Sequence, residues 1–566
     1  MKKSIIVVAC CSTGINFVED IHNRGYNLII VDALPVGTEE SIRPFVEYQE
    51  KQYASLDKSI PIIKDYKNYE ELLEKVRAYN PFLVIAGSEF GVPYATRLAH
   101  DLGLPGTPVS RLPYMTEKAK MHEALKEHGV RCIEGKIINS VEEAKVFFDS
   151  LPTEDFVIKW SRRAGTQGVR ICHGWDEIKS SVEDSFKNPF IEDGKPVELL
   201  MQECIKGEEY IVNTVSSQGK HRVISIWHYS KIDLPGGYHV YNYAESINTL
   251  DVGMSALIRY AFDAVSAIGI VDGPVHGEYM IDERGPVLME VNCRPMGATM
   301  NRKFLDSAYG HHETDAILDS YLHPESFVEE SLKPYRPKRK AATKLFIRTK
   351  DLVAESAPII QIAKRLRSYY SSSFDWVGRE TFLTKTTDME NNAGFVTLLH
   401  KDEKVVMDDL NLLHTIEMKY PDILFSSQEK LPESKVKPCD LESVIKNSGC
   451  HGTTLVLSDC SPVLDSVMVA NIQNLNRFYD SFDQGILDLT KPESFIDLES
   501  TVERIFTFTD KIKEGGRIII PESTYANLPY GIEGMEILLK VVGLRIEFPI
   551  YGDGNVLVAS VEVAKK

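Results

Sequence analysis

The stretch GPVHGEYMIDERGPVLMEVNCRPMG, residues 273–297, constrains this chain most, because it sets charged and carboxamide side chains into two runs that otherwise read as short apolar strands. The DERGP segment, Asp282 to Pro286, is a turn signal, and a hairpin closed there pairs roughly symmetrically about Arg284. Side chains alternate faces with a period of two. Counting outward sets Met280 across from Leu288, Glu278 across from Glu290 and His276 across from Asn292 on one face, with Arg294 following at the same parity. The other face carries Val275, Tyr279, Ile281, Val287, Met289 and Val291, a core-facing set. Two carboxylates directly across a ladder repel, a cost that a purely structural hairpin has no reason to carry. A divalent cation removes it. Two carboxylates and a neutral carboxamide, with water and phosphate completing the shell, suit Mg²⁺ (or Mn²⁺) rather than zinc. A solvent-facing hairpin with incidental acidic residues is the plain alternative.

At 566 residues the chain exceeds one compact core and is expected to divide into three or four domains of ~100 to 200 residues. A hydrophobic fraction of 43% and a charged fraction of 26% are those of globular proteins, so disorder is not the explanation for any of its features. The formal net charge of -18 argues against nucleic acid as a partner, since phosphate backbones are bound by basic surfaces. The one basic cluster, KPYRPKRKAATK (Lys333 to Lys344), reads as a solvated linker between domains. Nine cysteines without a CxxC spacing read as reduced thiols of a cytoplasmic protein. The start, MKKSIIVVACCSTG, has two lysines before an apolar run, yet that run is no longer than the shortest signal cores and passes into a Ser-Thr-Gly turn. A first strand is expected there. No apolar stretch reaches the ~20 residues needed to cross a bilayer, so no membrane association is expected.

Residues 1 to about 110 alternate apolar strands (SIIVVAC, NLIIVDA, FLVIAG) with helical patterns such as NYEELLEKVRAY, which predicts a parallel sheet covered on both faces. The first turn has a single glycine and lacks the GxGxxG of dinucleotide binding. Gly87-Ser88-Glu89-Phe90-Gly91 closes the FLVIAG strand, where ligands of such sheets sit, which makes Glu89 a candidate substrate contact; an ordinary strand-to-helix turn is the alternative. TEKAKMHEALKEHGV (116–130) reads as a helix with a threonine cap. FVIKW (156–160) is a strand with Lys159 inside it, and a lysine in an apolar strand is costly unless it meets an anion. In the following SRRAGTQGV loop, Gly165 and Gly168 let backbone N–H groups approach that anion. In LLMQECIKGEEYIV the backbone of Glu203, Cys204 and Ile205 offers a donor and an acceptor to a purine edge, and Glu209 a carboxylate to a ribose; an exposed acidic turn is the alternative.

Lys118 on a helix, Lys159 on a strand, the AGTQGV loop, QECIKGEEYIV and then HGE…MEVNCRPMG, in this order, resemble an ATP-grasp ligase, and more closely the bacterial L-amino-acid ligases. The likeness runs to about Phe425 and takes in AGSEFGV (86–92), LGLPGTP (102–108) and GRETFLTKTTDMENNAGFVTLLHKD. It implies ATP as the nucleotide, with Lys118 and Lys159 holding phosphates and Gly165, Thr166 and Gly168 in a loop that closes over them. It implies further that Glu203, Cys204 and Ile205 form the adenine hinge, Glu209 holds the ribose, and Glu278, Glu290 and Asn292 are metal ligands. Arg294 matches the arginine that steadies the acyl phosphate. His276 is a candidate to orient substrate or accept a proton, with a packed, hydrogen-bonded ring as the alternative. Tyr241, in GGYHVYNYAES, and Gly297 and Ala298, after Arg294, are candidate substrate contacts. Trp160 stands where many relatives have proline, and Asn242 where an acidic residue is frequent.

The tail from about Pro432 has TTLVLSD, a helix predicted over 463–482, QGILDL, ESTVERIFTFTDKI, GGRIIIP, GIEGMEILLKVVG, LRIEFPI and NVLVASVEV, and resembles the later part of a class I methyltransferase. It lacks the glycine-rich turn for S-adenosylmethionine, so a non-catalytic appendage for dimerisation or docking is expected. The predicted fold class is α/β and α+β multidomain: a pre-ATP-grasp Rossmann-like domain (1–112), an ATP-grasp A/lid subdomain (113–205), an ATP-grasp B and C-terminal subdomain (206–430) and a C-terminal Rossmann-like α/β domain (431–566). The expected activity joins a carboxylic acid to an amine, both small molecules and, as the resemblance implies, amino acids, with a homodimer as candidate assembly. A natural-product ligase with other substrates and a nucleotide-binding scaffold without turnover are the alternatives.

Overall fold

All five positions of the strand Ser4–Val8 (β1) are buried, which is why its run shows no alternation: both faces are covered. The computed structural model describes residues 3–33, 39–64, 66–161, 169–192, 195–234, 238–297, 300–388, 391–426, 454–457, 467–470, 482–487, 489, 498–526, 528–547, 550–551 and 554–561. These fall into two units, Met1–Ser230 with Glu245–Arg339, and Lys231–Ala244 with Lys340–Lys566.

In the first unit, β1 lies between Asn27–Val31 (β2) and Pro81–Ala86 (β4), and Ile62–Ile63 (β3) completes a parallel sheet in the order β3-β2-β1-β4. Its turns pack backbone on backbone: a Cβ on Gly14 would sit 2.1 Å from the Gly87 carbonyl oxygen, and one on Gly87 2.6 Å from that of Ala9. Only glycine fits such an approach. A second, antiparallel sheet has the order β5-β10-β6-β7, with β5 Gly135–Ile138, β6 Asp155–Trp160, β7 Arg170–His173 and β10 Leu199–Glu203. The pair Ile191–Glu192 (β8) and Lys195–Pro196 (β9) forms a small ribbon beside it in sequence. The site-bearing strands are Glu208–Ser217 (β11), Lys220–Leu234 (β12), Gly273–Asp282 (β14) and Gly285–Asn292 (β15), in the order β15-β14-β11-β12; Tyr238–Ser246 (β13) follows β12 in the chain. The helix Val252–Ile268 that leads into β14 is capped by the Asp251 side chain on the Met254 amide and ended by Gly269 at φ 86°.

In the second unit β13, Lys340–Leu345 (β16), Phe395–His400 (β20) and Tyr369–Ser373 (β18) follow one another in a sheet, with Leu352–Ala354 (β17) and Thr381–Leu383 (β19) as a separate ribbon. A further sheet has the order β22-β21-β23-β24-β27-β25, from Thr454–Leu457 (β21), Val467–Ala470 (β22), Phe482–Leu487 (β23), Ile512–Pro521 (β24), Leu544–Glu547 (β25) and Gly554–Val561 (β27), with Ile550–Tyr551 (β26) paired to β27. The first four strands are parallel and β27 runs antiparallel to both neighbours. Residues on both sides of 430, from Phe346, Leu410 and Leu424 to Phe506, Met535 and Leu538, share one apolar core. Among the described residues no helix is long and apolar enough to cross a membrane.

Three local readings change. The expected helix over 463–482 contains a strand, Val467–Ala470, where a short apolar run with two valines pairs parallel with β21. The helix expected over 116–130 begins at Lys118, with extended Glu117 as its N-cap, and Thr116 instead ends a preceding turn of helix, Leu112–Thr116. The basic linker is half strand: Lys340 and Lys344 are buried on β16, and Lys344 Nζ donates to Asn242 Oδ1 (2.7 Å), the Leu345 carbonyl (2.8 Å) and Glu417 Oε2 (2.5 Å). A buried carboxylate repays the burial of that ammonium.

Asp20 ties the first β-sheet layer to later helices, accepting hydrogen bonds from His312 Nε2 (3.0 Å), Thr314 Oγ1 (2.6 Å) and Arg302 Nη1 (2.7 Å). Burial pushes the His312 imidazole down, but its bonds to Asp20 and Asp306 outweigh this and hold its pKa above the ordinary value. A raised folded pKa means that the stabilisation is complete below the unfolded value of ~6.5 and is lost as pH rises through the folded value. The unfolding midpoint of the native chain is therefore expected to exceed that of His312→Asn most at ~pH 6, with the gap narrowing in thermal melts as pH rises through the raised folded pKa. A gap that widens with pH would refute this.

Candidate active site

Residues paired across an antiparallel ladder share a face. His276 pairs with Asn292 and Glu278 with Glu290, as the sequence suggests; beyond them the register shifts, so that Tyr279 meets Leu288 and Met280 meets Val287. The closing turn is two residues, Glu283 and Arg284, and a bulge at Met289 absorbs the difference. The expected pairing of Met280 with Leu288 is thus corrected: Leu288 joins the expected core face, while Val287, core as expected and fully buried, lies on the face of Met280 and packs with Ile133 and Ile205. On β11, Asn213 pairs with His276, Ile211 with Glu278 and Glu209 with Met280; on β12, Ser225, Trp227 and Tyr229 extend the same rows.

His276 is buried, its Nδ1 lies 2.8 Å from Asn213 Oδ1, and Asn213 Nδ2 donates to Ser225 Oγ at 2.8 Å. Burial holds the imidazole below its ordinary pKa, against the pull of Glu278. With Nδ1–H donated to Asn213, neutral Nε2 turns a lone pair towards Glu278 Oε1, 3.5 Å away. Two acceptors so placed invite a proton or a cation between them.

A basic wall faces the acidic ladder. Lys118 opens its helix and lies 2.8 Å from Glu290 Oε2. Lys159, buried in β6, has its pKa pushed down to about 8 by burial and by the nearby Lys118, with Glu290 and Glu278 opposing. One helical turn after Lys118, His122 is buried with no hydrogen-bond partner on either ring nitrogen among the described residues, and the buried Ser161 Oγ is likewise unpartnered. Burial, with Lys159 and Lys118, holds His122 down to about 3, so the ring is neutral. Two buried ammonium groups beside unpartnered buried donors fit an anion, which repays both costs.

Glu89, just past the end of β4, accepts from Arg294 Nε at 3.2 Å, and Arg294 Nη1 donates to the Pro295 carbonyl at 2.9 Å. Turned so that its nitrogen faces the carboxylates, the Asn292 amide donates to Glu89 Oε2 (2.9 Å) and Glu290 Oε1 (3.2 Å). Burial pushes the Glu89 carboxyl up, Arg294 and Lys118 pull it down, and Glu290 adds to the rise. Beside this polar group lies a small apolar cluster: buried Ile133, Ile205 and Val287, with Met280 and Met289 packed on them. Glu203 borders it, its carboxylate accepting from the Glu134 amide (3.1 Å) and from Arg284 Nη2 (3.0 Å). The Glu203 and Cys204 amides donate to the carbonyls of Glu134 and Asp155, so Ile205 is the hinge residue whose amide is not spent on those two. Glu209 shares the face of Met280.

The structure thus brings together Lys118, Lys159, Glu89, His276, Glu278, Glu290, Asn292 and Arg294. Gly297 follows on, its carbonyl accepting from Thr13 Oγ1 at 3.2 Å, and a Cβ there would meet nothing within 4 Å. Tyr241 belongs to the second unit, with Lys231 Nζ 4.4 Å from its ring centre. Gly165, Thr166, Gly168 and Ala298 lie outside the described residues. No three His, Cys, Asp or Glu side chains converge as a metal cage among the described residues. Two carboxylates with a carboxamide are a donor set for an ion that keeps water and phosphate ligands, as Mg²⁺ does. Sequence reasoning missed His122, Ser161, Thr13 and the packing of Ile133 and Ile205 with Val287. The spacing of His122 from Lys118, four residues on one helix, was the one available signal.

Residues 153–302 match the ATP-grasp domain family. The chain is 28% identical over 332 residues to dapdiamide A synthase of Enterobacter agglomerans, covering 58% of this chain and 76% of that one. It is 24% identical over 369 residues to carnosine synthase 1 of Gallus gallus, covering 60% of this chain but only 36% of that much longer protein. In fold it resembles the crystal structure of an L-amino acid ligase from Bacillus licheniformis, with a TM-score of 0.55 at 17% identity over 73% of this chain and 98% of that one. With the acidic ladder, the paired lysines and Arg294 on one site, the chain carries an ATP-grasp domain over residues 153–302 and is similar to carboxylate–amine ligases built on that domain.

Proposed function

We propose that the protein activates an amino acid carboxylate as an acyl phosphate at the expense of ATP, and couples it to an amine to give a dipeptide or related amide, ADP and phosphate. The observation that carries this reading is the direct contact of the acidic ladder with the phosphate-binding wall, Lys118 on Glu290, in a site that also holds Arg294 beside Glu89. An acyl phosphate must form where phosphate, metal and carboxylate meet.

Adenine lies against the cluster of Ile133, Ile205, Met280, Val287 and Met289, reading the Glu203–Ile205 backbone, and Glu209 holds the ribose. Lys118 and Lys159, with Gly165, Thr166 and Gly168, hold the phosphates. Glu278, Glu290 and Asn292 would hold Mg²⁺ (or Mn²⁺), which would supply charge neutralisation for phosphoryl transfer. Arg294 faces the acyl oxygens as charge builds on them, a preorganised role that contributes ~3 kcal/mol or more in a water-poor site. Glu89 fixes the Arg294 guanidinium, Gly297 and Ala298 border the acid, and His276 orients it. Tyr241 contacts the second substrate.

The four sequence divisions serve as N-terminal Rossmann-like support (1–112), lid (113–205), catalytic body (206–430) and a methyltransferase-like, non-catalytic α/β module (431–566) for docking or homodimerisation. We place the enzyme in the cytoplasm; the six described cysteines without a disulfide support this.

The test is ADP and phosphate release with Mg²⁺ and ATP against single L-amino acids and then pairs, with mass spectrometry of the products. The expected result is ADP formation with a particular pair and a product one water lighter than their sum. ATP binding without stimulation by any acid or pair would sink the reading.

A further inference from the structure

Glu313 begins the helix Glu313–Leu322 and is 4% exposed. Its Oε2 accepts the Met296 backbone N–H at 2.6 Å, while its Oε1 has no partner among the described residues. Met296 ties it to the site, for its Sδ lies 3.8 Å from the Tyr229 hydroxyl and 3.4 Å from Asn213 Nδ2, the amide that positions His276. Tyr229 shares the ladder face of Glu209, and its hydroxyl feels the charges of Glu278, Glu209, Glu313 and Arg294 together. A second buried carboxylate therefore stands close to Arg294, outside the ladder and unused by the phosphate chemistry. A carboxylate oxygen buried without a donor is costly, and an ammonium group is the partner that completes it.

We propose that Glu313 receives the attacking amine: its Oε1 accepts a hydrogen bond from the ammonium of the second substrate and takes its proton. This rests on the ligase reading above. The freed nitrogen lone pair attacks the carbonyl carbon of the acyl phosphate, the carbon–nitrogen bond forms, and the carbonyl pair moves to the oxygen facing Arg294. Return of that pair breaks the carbon–oxygen bond to phosphate, and the departing phosphate carries off the second nitrogen proton. Glu313 passes its own proton to solvent before the next cycle. Burial pushes its carboxyl up to about 7, against the Met296 N–H, Arg294 and His312, which suits a proton acceptor near neutral pH. The groups facing it are Arg294 and Met296 after β15, His312 at the head of its own helix, Tyr229 on β12 and Tyr309 at the end of the helix Arg302–Tyr309.

The experiment compares the full-length native chain with Glu313→Gln, using two acceptors. Hydroxylamine is largely neutral at pH 7 and traps the acyl phosphate as a hydroxamate without a proton acceptor, whereas an amino acid arrives as an ammonium ion. Glu313→Gln is expected to keep hydroxamate formation within about threefold and to lose ~10²-fold in kcat/KM for the amine at pH 7, with the rate recovering as pH rises and the amine deprotonates in solution. Glu313→Asp, which keeps the carboxylate, is expected to fall between, and it carries the test should the glutamine variant fail to fold. Equal loss with both acceptors, or no loss with the amine, overturns the proposal. A native chain that forms neither hydroxamate nor amide with any acid overturns the ligase reading, and this inference with it.

Discussion

Replacing Arg294 with alanine is expected to lower kcat by ~10²- to 10³-fold while the ATP affinity changes by no more than about threefold. The asymmetry follows from where the guanidinium is fixed. Nε is held by Glu89 at 3.2 Å and Nη1 by the Pro295 carbonyl at 2.9 Å, so the group is oriented before substrate arrives and spends nothing on reorganisation. In the proposed role its charge acts on oxygens that become negative only during acyl transfer, and an interaction made only in the transition state lowers kcat and kcat/KM together. On the proposed reading the phosphates are held elsewhere, by Lys118 and Lys159. Arg294→Lys should recover only part of the loss, since a point charge on a flexible stem replaces a planar fork. Steady-state ADP release and a nucleotide titration on the same preparations check this. An ATP dissociation constant that rises as much as kcat falls would place Arg294 on the triphosphate instead.

The carboxylate pair was legible because a strand's period of two survives any tertiary context, so Glu278 and Glu290 could be set opposite each other from residue counting. The bulge at Met289 was not, because one inserted residue leaves the local composition unchanged and shifts only what lies beyond it. Its effect is to turn Val287, still fully buried, onto the face of Met280, where it packs with Ile133, Ile205 and Met289. Glu89 was readable as a strand-end residue, but its partner Arg294 stands 205 residues away and only the fold joins them. His122 offered a helical spacing and no reason to prefer it over any buried histidine; the reason lies in the two lysines that the fold places beside it. Residues 340–345 show the same limit, since a run of lysines reads as solvated until Glu417 supplies the buried partner of Lys344. In the tail, the four apolar residues Val467–Ala470 were too short to separate strand from helix by periodicity.

Glu290→Gln is expected to abolish turnover, by ~10³-fold or more, and to do so without weakening metal-free ATP binding. Glu290 carries three loads: Oε2 meets Lys118 Nζ at 2.8 Å, Oε1 meets the Asn292 amide at 3.2 Å, and the side chain faces Glu278 across the ladder. Glutamine keeps the shape and removes one charge, so the ladder repulsion disappears and a divalent ion held by the pair, as proposed, would lose one of its two anionic ligands. Lys118 loses its carboxylate and is freer to pair with phosphate, which favours binding of ATP alone. A loss of charge-assisted contacts of ~1.5–3 kcal/mol each falls on the metal-bound transition state rather than on the nucleotide. The signature is therefore in the metal dependence: ATP titrations with and without Mg²⁺ should differ in the native chain and coincide in the variant, while ADP release vanishes. If the variant still forms ADP at a rate near that of the native chain, the ladder does not hold the catalytic metal. If instead the native chain itself shows neither Mg²⁺-dependent binding nor turnover, the acidic pair belongs to a scaffold, and the cost of setting two carboxylates face to face would need another cation to repay it.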